Sequence, residues 1–183
     1  MAHKEETLNS KQIFNGKIIE VCHDEVLLEN GNTSFREVVY HPGGVCVLPL
    51  CDNGDVILVR QFRYPYKKEI LELPAGKLNK GENPFDSGVR ELKEETGAVA
   101  SKYTFLGELY PTPGYCGEII SMYLAENLKF EKQNLDDDEF LDIVKIPLNE
   151  LVNMVLNNEI SDAKTQTAVL KTYLLKNKKN RCL

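Results

Sequence analysis

Long apolar runs are missing from this 183-residue chain. None reaches the roughly 18 residues that a membrane-spanning helix needs, so no membrane association is expected. A signal-peptide pattern is missing too: residues 1–11 are polar and charged, and a cytoplasmic protein is the expectation. Cysteine is sparse and oddly placed. Cys22, Cys46, Cys51, Cys116 and Cys182 form an odd set without C-x-x-C spacing, which argues against a disulfide framework and against a zinc site. The three histidines, His3, His23 and His41, do not form H-E-x-x-H. Positive charge is in deficit, with 22 Lys and Arg against 28 Asp and Glu and a formal net charge of -6. Such a chain is a poor partner for polyanionic nucleic acid, and the basic run at 171–181 reads as the solvated end of a helix. No G-x-G-x-x-G, P-loop, internal repeat or low-complexity linker is present.

What remains is an ordinary globular composition, 42% hydrophobic and 27% charged, long enough to bury a core unaided. Strand-like stretches fill the first half, at 17–21, 25–29, 35–40, 45–50 and 56–61. The last two flank Asp52-Asn53-Gly54-Asp55 and read as a hairpin. Residues 84–96 change period: Phe85, Val89 and Leu92 share a helical face, Pro84 suits a first turn, and Gly97 suits a C-cap. Strands resume at 103–109, 119–126 and 143–146, and helical patterns cover 148–156 and 163–176. The sum is a mixed α/β protein.

The chemistry is concentrated in residues 76–98. Glu91, Glu94 and Glu95 stand at i, i+3 and i+4, so their carboxylates crowd one face and repel. Taken alone, Glu-x-x-Glu-Glu usually means a solvated acidic helix face. The other meaning is a site for a hard divalent cation, whose open positions take phosphate oxygens and water. The surroundings favour the second. Gly76, Glu82, Arg90, Glu91, Glu94, Glu95 and Gly97 fit G-x5-E-x7-R-E-U-x-E-E-x-G-U, where U is aliphatic. A chance match is on the order of one in 10^8. Ala98 at the last aliphatic position is small but apolar.

That pattern is the Nudix signature, and the chain resembles a Nudix hydrolase. The stretches REVVYHPG (36–43), VRQFRYP (59–65), LELPAGK (71–77), PTPG (111–114) and ISDAKT (160–165) resemble the ADP-ribose pyrophosphatase branch, and Pro113 stands about where that branch carries a distinguishing proline. The resemblance implies an α/β/α sandwich around a mixed sheet. It divides the chain into an N-terminal strand element at 1–40, expected to form a homodimer, and a hydrolase domain at 41–183. It implies magnesium, or manganese, on Glu91, Glu95 and the Ala75 carbonyl, assisted by Glu94. Arg90 would orient the glutamates through Glu94 or Glu82. Arg36, Arg63 and, less directly, Arg60 would contact phosphate, while Glu118 and Gly114 would shape the substrate loop. For the base, Asp137, Glu139 or water activated by metal alone all remain open. Phe14 would stack on adenine or belong to an interface. The implied reaction is hydrolysis of ADP-ribose to AMP and ribose 5-phosphate. The alternatives are another nucleoside diphosphate sugar, a dinucleotide, or a sensor that binds without cutting.

Overall fold

The computed structural model describes residues 3–135 and 139–179. Among these residues, ten strands and three α-helices divide between two compact units, one comprising residues up to Gly43 with Tyr110–Ile119, the other Gly44–Leu109 with residues from Ile120 onward. No helix among the described residues is long and apolar enough to cross a membrane.

The first unit is an antiparallel sheet of β1 (Glu6–Asn15), β2 (Glu20–Leu27) and β3 (Thr33–Tyr40), in that order. The reading of two short strands at 17–21 and 25–29 is corrected here: one strand runs through the polar centre, and β1 was not foreseen at all. Polar residues are tolerated because each finds a partner. Buried Asp24 accepts a hydrogen bond from Ser10 Oγ at 2.5 Å, and His23 stacks on Phe35 at 4.8 Å between ring centroids. The segment Tyr110–Ile119 docks on β3, with Val39 N–H donating to Tyr115 O at 2.8 Å and Gly117 N–H to Val39 O at 2.9 Å.

The second unit carries two sheets. One has the order β7 (Ala75–Lys77), β4 (Gly44–Pro49), β9 (Ile120–Phe130), β8 (Ala98–Leu109), with β4 and β9 parallel and the remaining pairs antiparallel. The other has the order β10 (Leu141–Pro147), β5 (Asp55–Arg63), β6 (Lys68–Glu72) and is antiparallel throughout. The hairpin expected between β4 and β5 is only a turn. Cys51 N–H donates to Asp55 O at 2.8 Å, a single bridge joins Leu50 and Val56, and the strands then part into different sheets. The cause is that both have two apolar faces to bury. In β4, Val45 and Val47 join one core with Ile57, Leu92, Ala98 and Ala125. Cys46 and Leu48 join the other with Leu58, Met122, Leu151 and Val169. Side-chain alternation along a strand produces this division. Helix α1 (Pro84–Thr96) covers the first face, while α2 (Leu148–Leu156) and α3 (Ala163–Lys179) supply the second core. A mixed sheet between helical layers is the α/β/α arrangement.

Local chemistry sets the limits of α1. Asn83 caps its start, the side chain accepting from Phe85 N–H at 2.8 Å, and Pro84 needs no donor there. Gly97 ends it at φ 69°, its N–H donating to Lys93 O at 2.8 Å. The next segment then fastens the helix end. Glu131 N–H donates to Gly97 O at 2.7 Å, Asn134 N–H to Glu94 O at 3.0 Å, and Gln133 Nε2 to Glu95 O at 2.5 Å. The apolar face expected on Phe85, Val89 and Leu92 is only partly correct. Leu92 is buried, but Phe85 is exposed, edge-on to Tyr103 and Tyr123, and Val89 is half-buried. The inward face is Ser87, Gly88, Glu91, Leu92, Glu95 and Thr96.

A side chain at Gly97 would need the left-handed conformation, and its Cβ would lie 2.4 Å from the Glu131 carbonyl oxygen. Gly97→Ala is therefore expected to cost about 2 kcal/mol or more, seen as a lower urea midpoint with an unchanged m-value.

Candidate functional site: a buried glutamate pair on helix α1

Two carboxylates on the inward face of an amphipathic helix violate ordinary patterning. They are forced inward by close packing at two glycines. A Cβ at Gly88 would stand 3.0 Å from Val45 Cγ2 and 3.2 Å from Val47 Cγ2, so α1 lies tight on β4. A Cβ at Gly76, on β7, would stand 2.0 Å from Glu91 Oε1. The space a side chain would take at Gly76 is filled by the Glu91 carboxylate.

Arg90 gathers the acids around it. Its Nε donates to Glu82 Oε1 at 3.1 Å and its Nη2 to Glu82 Oε2 at 3.3 Å. Its Nη1 donates to Glu94 Oε2 at 2.8 Å and stands 2.9 Å from Glu91 Oε1. Burial works against the Arg90 charge, but these acids more than offset it and raise its proton affinity. Glu82 also accepts from Asn79 N–H at 2.8 Å, so the loop before α1 is tied to the same guanidinium. The hydrogen bond from Arg90 holds the Glu82 carboxyl below its usual range.

Glu91 and Glu95 are 8% and 3% exposed. Burial raises the Glu91 carboxyl, with Arg90 opposing it. Glu95 is pushed up to about 8 by burial; the Ala75 N–H opposes the shift, and Glu91, Glu139 and Glu72 add to it. That N–H donates to Glu95 Oε2 at 3.1 Å, and among the described residues no Lys, Arg or His pairs with Glu95. Glu139 acts electrostatically on both glutamates. Asp137 lies outside the described residues.

Among the described residues, no three His, Cys, Asp or Glu side chains converge into a finished metal cluster. Glu94 is turned to Arg90 instead. The donor set nevertheless suits a hard divalent cation: Glu91 and Glu95 lie one turn apart, and Glu95 is a buried acid with no cationic partner among the described residues. The Ala75 backbone borders the same acid.

The remaining candidates take separate places. Arg63 forms a fork with Glu72, Nε to Oε1 at 2.6 Å and Nη2 to Oε2 at 2.8 Å. Arg60 is exposed on β5. In the first unit, Arg36 pairs with Glu5 and donates to Phe35 O at 2.8 Å. Glu118 stands 3.4 Å from His41 Nδ1, and Gly114 lies exposed in its loop with open space where a Cβ would be. Glu72, Asp162 and Lys164 were not singled out as site residues, although they lie in the stretches 71–77 and 160–165 that resemble the family; their partnership appears only once the fold joins strand to helix.

Two outcomes test this geometry. Between its ordinary value of 4.5 and about 8, folded Glu95 keeps a proton that the unfolded chain has already lost. The unfolded state then binds fewer protons, so stability falls as pH rises through that window. Melting temperatures in EDTA should decline from pH 5 to 8 and flatten in Glu95→Gln or with excess divalent cation. Gly76→Ala should displace the Glu91 carboxylate, whose flexible stem can yield. Catalysis should drop about 100-fold or more while the melting temperature stays within about 3 °C, by steady-state assay and calorimetry.

The chain is similar to known proteins along most of its length. The NUDIX domain model matches residues 40–168, and a model of the nucleoside diphosphate sugar hydrolase N-terminal domain matches residues 5–39. The chain is 45% identical over 168 residues to the ADP-ribose pyrophosphatase of Bacillus subtilis (strain 168), covering 91% of each. It is 41% identical to a methanol dehydrogenase activator of Bacillus methanolicus, again covering 91% of each. It is 34% identical to the ADP-ribose pyrophosphatase of Mycobacterium tuberculosis, covering 93% of this chain and 84% of that one. A crystal structure of an ADP compounds hydrolase shares the fold with a TM-score of 0.87 at 24% identity, over 99% of this chain and 98% of that one. With the glutamate helix and its two glycines in place and these matches across its length, the chain belongs to the Nudix hydrolase family.

Proposed function

We propose that this enzyme hydrolyses the pyrophosphate bond of ADP-ribose, giving AMP and ribose 5-phosphate. The observation that carries the reading is the buried pair Glu91 and Glu95, held one turn apart against the Ala75–Gly76 strand. It is supported by 45% identity to an ADP-ribose pyrophosphatase across 91% of both chains. Nudix hydrolases generally work with divalent metal ions. Glu91, Glu95 and the Ala75 carbonyl, with Glu94 beside them, are the residues that would hold magnesium, and manganese suits the same oxygen donors. When bound, such an ion supplies positive charge to the diphosphate oxygens and lowers the pKa of its water.

The chain's own residues do the rest. Arg90 fixes Glu91 and Glu94 against mutual repulsion through contacts of 2.8–2.9 Å. Arg63 presents a guanidinium to phosphate oxygens, and Arg36 and Arg60 are further candidates, with Glu118 and Gly114 shaping the substrate loop. A water oxygen bonds to one phosphorus as the bridging P–O bond breaks. Its proton passes to an acid of the loop before β10. Among the described residues that acid is Glu139, and Asp137 is the other candidate. Burial of Glu91 and Glu95 keeps bulk water from their inward face, where fixed charge acts most strongly.

We further propose a homodimer formed through the N-terminal sheet. All ten residues of β1 are exposed in the single chain, Leu8, Ile13 and Phe14 among them, and such apolar exposure on a strand suits a partner surface. A cytoplasmic location fits the free thiols of Cys22, Cys46, Cys51 and Cys116.

The test is product analysis of ADP-ribose, GDP-mannose and NADH incubated with magnesium or with EDTA. AMP from ADP-ribose should appear only with magnesium, and Glu95→Gln should lower kcat about 100-fold or more. Preferred turnover of GDP-mannose would move the substrate while keeping the reaction class. Binding of ADP-ribose without cleavage would overturn the enzymatic reading in favour of a sensor.

A further inference from the structure

Behind the glutamate helix lies a second set of charges, assembled from three elements of the same unit. Glu72, the last residue of β6, is 2% exposed. Both of its oxygens are taken by Arg63 at the end of β5. A second cation then shares it, because Lys164 Nζ donates to the Oε2 that Arg63 Nη2 also reaches. Lys164 is itself only 11% exposed and donates to Asp162 Oδ1 at 3.0 Å. Asp162 is locked in turn. Its Oδ2 accepts from Thr165 N–H at 2.9 Å and from Thr165 Oγ1 at 2.6 Å, and Thr165 Oγ1 accepts from Leu73 N–H at 2.9 Å. The first turn of α3 is thus bolted to the Glu72–Leu73 segment, two residues before the Ala75 N–H that holds Glu95.

Two cations and two carboxylates make this set neutral, and Lys164 balances Asp162, yet it also reaches Glu72. Glu72 already has a guanidinium in fork geometry, the strongest single partner a carboxylate can have. What Lys164 changes is how much of the Arg63 charge Glu72 consumes. With Oε2 shared, the carboxylate draws less on the guanidinium, and 40% of the Arg63 side chain faces solvent. Nη1, the nitrogen outside the fork, makes no hydrogen bond among the described residues. The fork fixes the direction of that edge, and Lys164 keeps it electropositive.

We propose that Lys164 is a positioning residue for the hydrolysis: through Glu72 it orients the Arg63 guanidinium and leaves its outer edge charged for a diphosphate oxygen. The inference rests on the reading of Arg63 as a phosphate contact. Lys164 never touches substrate in this arrangement. Its effect passes entirely through Glu72 and Arg63, so removing it should weaken diphosphate binding more than the chemical step. It should also have little left to do once Arg63 is gone.

A double-mutant cycle tests this on the full chain with ADP-ribose and magnesium, using Lys164→Met, Arg63→Ala and the pair. Each single variant is expected to raise KM about tenfold, with kcat within about threefold. In the Arg63→Ala background, Lys164→Met should change kcat/KM by less than about twofold. Lys164→Arg should restore KM to within about threefold of wild type, because it keeps the buried cation. If the Met variant does not fold, by circular dichroism and melting, Lys164→Gln takes its place in the cycle. Equal losses from the Lys164 substitution in both backgrounds would overturn the inference while leaving Arg63 as a phosphate contact. An Arg63→Ala variant with wild-type KM, in an enzyme that Glu95→Gln still inactivates, would remove the Arg63 reading and this inference with it.

Discussion

Two glutamates held inside a packed helix interface are the constraint on which this molecule is organised. A helix that presents Glu91 and Glu95 to a sheet loses hydration on both carboxylates, and burial in an apolar interface should expel them. They stay because the alternatives are sterically closed. Gly88 brings α1 against Val45 and Val47, Leu92 anchors it in an apolar core, and Gly76 leaves room for one carboxylate. Residual repulsion is met by Arg90 on one side and by the Ala75 N–H on the other. Burial still raises the proton affinity of both acids against this compensation. A protein that tolerates such strain in its core is spending stability on a site.

Charge compensation also explains why distant parts of the chain converge here. Arg90 draws in the loop that carries Glu82, and Glu72 draws in Arg63 and Lys164, the latter 92 positions away in sequence. Each contact satisfies a group that burial would otherwise penalise. The polar network beneath the sheet and the glutamates above it therefore form one electrostatic problem, and Glu72 is felt at Glu95. Stability and site geometry are set by the same side chains.

How much of this the sequence revealed depended on the range of each interaction. The limits of α1 were legible because Asn83, Pro84 and Gly97 act within one turn of themselves. Its inward face was not, since patterning assigns glutamates to solvent and would put Phe85 and Val89 inside. The spacing of Gly76, Glu82, Arg90, Glu91, Glu94, Glu95 and Gly97 pointed to the right helix and family, and Arg90 was expected to act through Glu94 or Glu82, both of which it contacts. Strand β1 was missed because its few apolar residues, Leu8, Ile13 and Phe14, do not alternate with period two, and the β4–β5 turn was read as a hairpin because two-sided burial is invisible in a turn motif. The pairing of Arg63, Glu72, Asp162 and Lys164 lay beyond reach although their stretches were legible, as no local spacing links a strand end to a helix start 92 positions on.

Strand β4 carries a consequence for how this fold can vary. Its odd and even residues belong to different cores, with Val45 and Val47 facing α1 while Cys46 and Leu48 face the layer of α2 and α3. Inserting or deleting one residue within it would exchange the two sets in a single step. The short valines that let the helix come close would then face the wrong layer, and Leu48 would face Gly88. The strand behaves as a ruler with fixed parity, and length variation is channelled into turns such as Asp52–Gly54, where the two sheets have already separated.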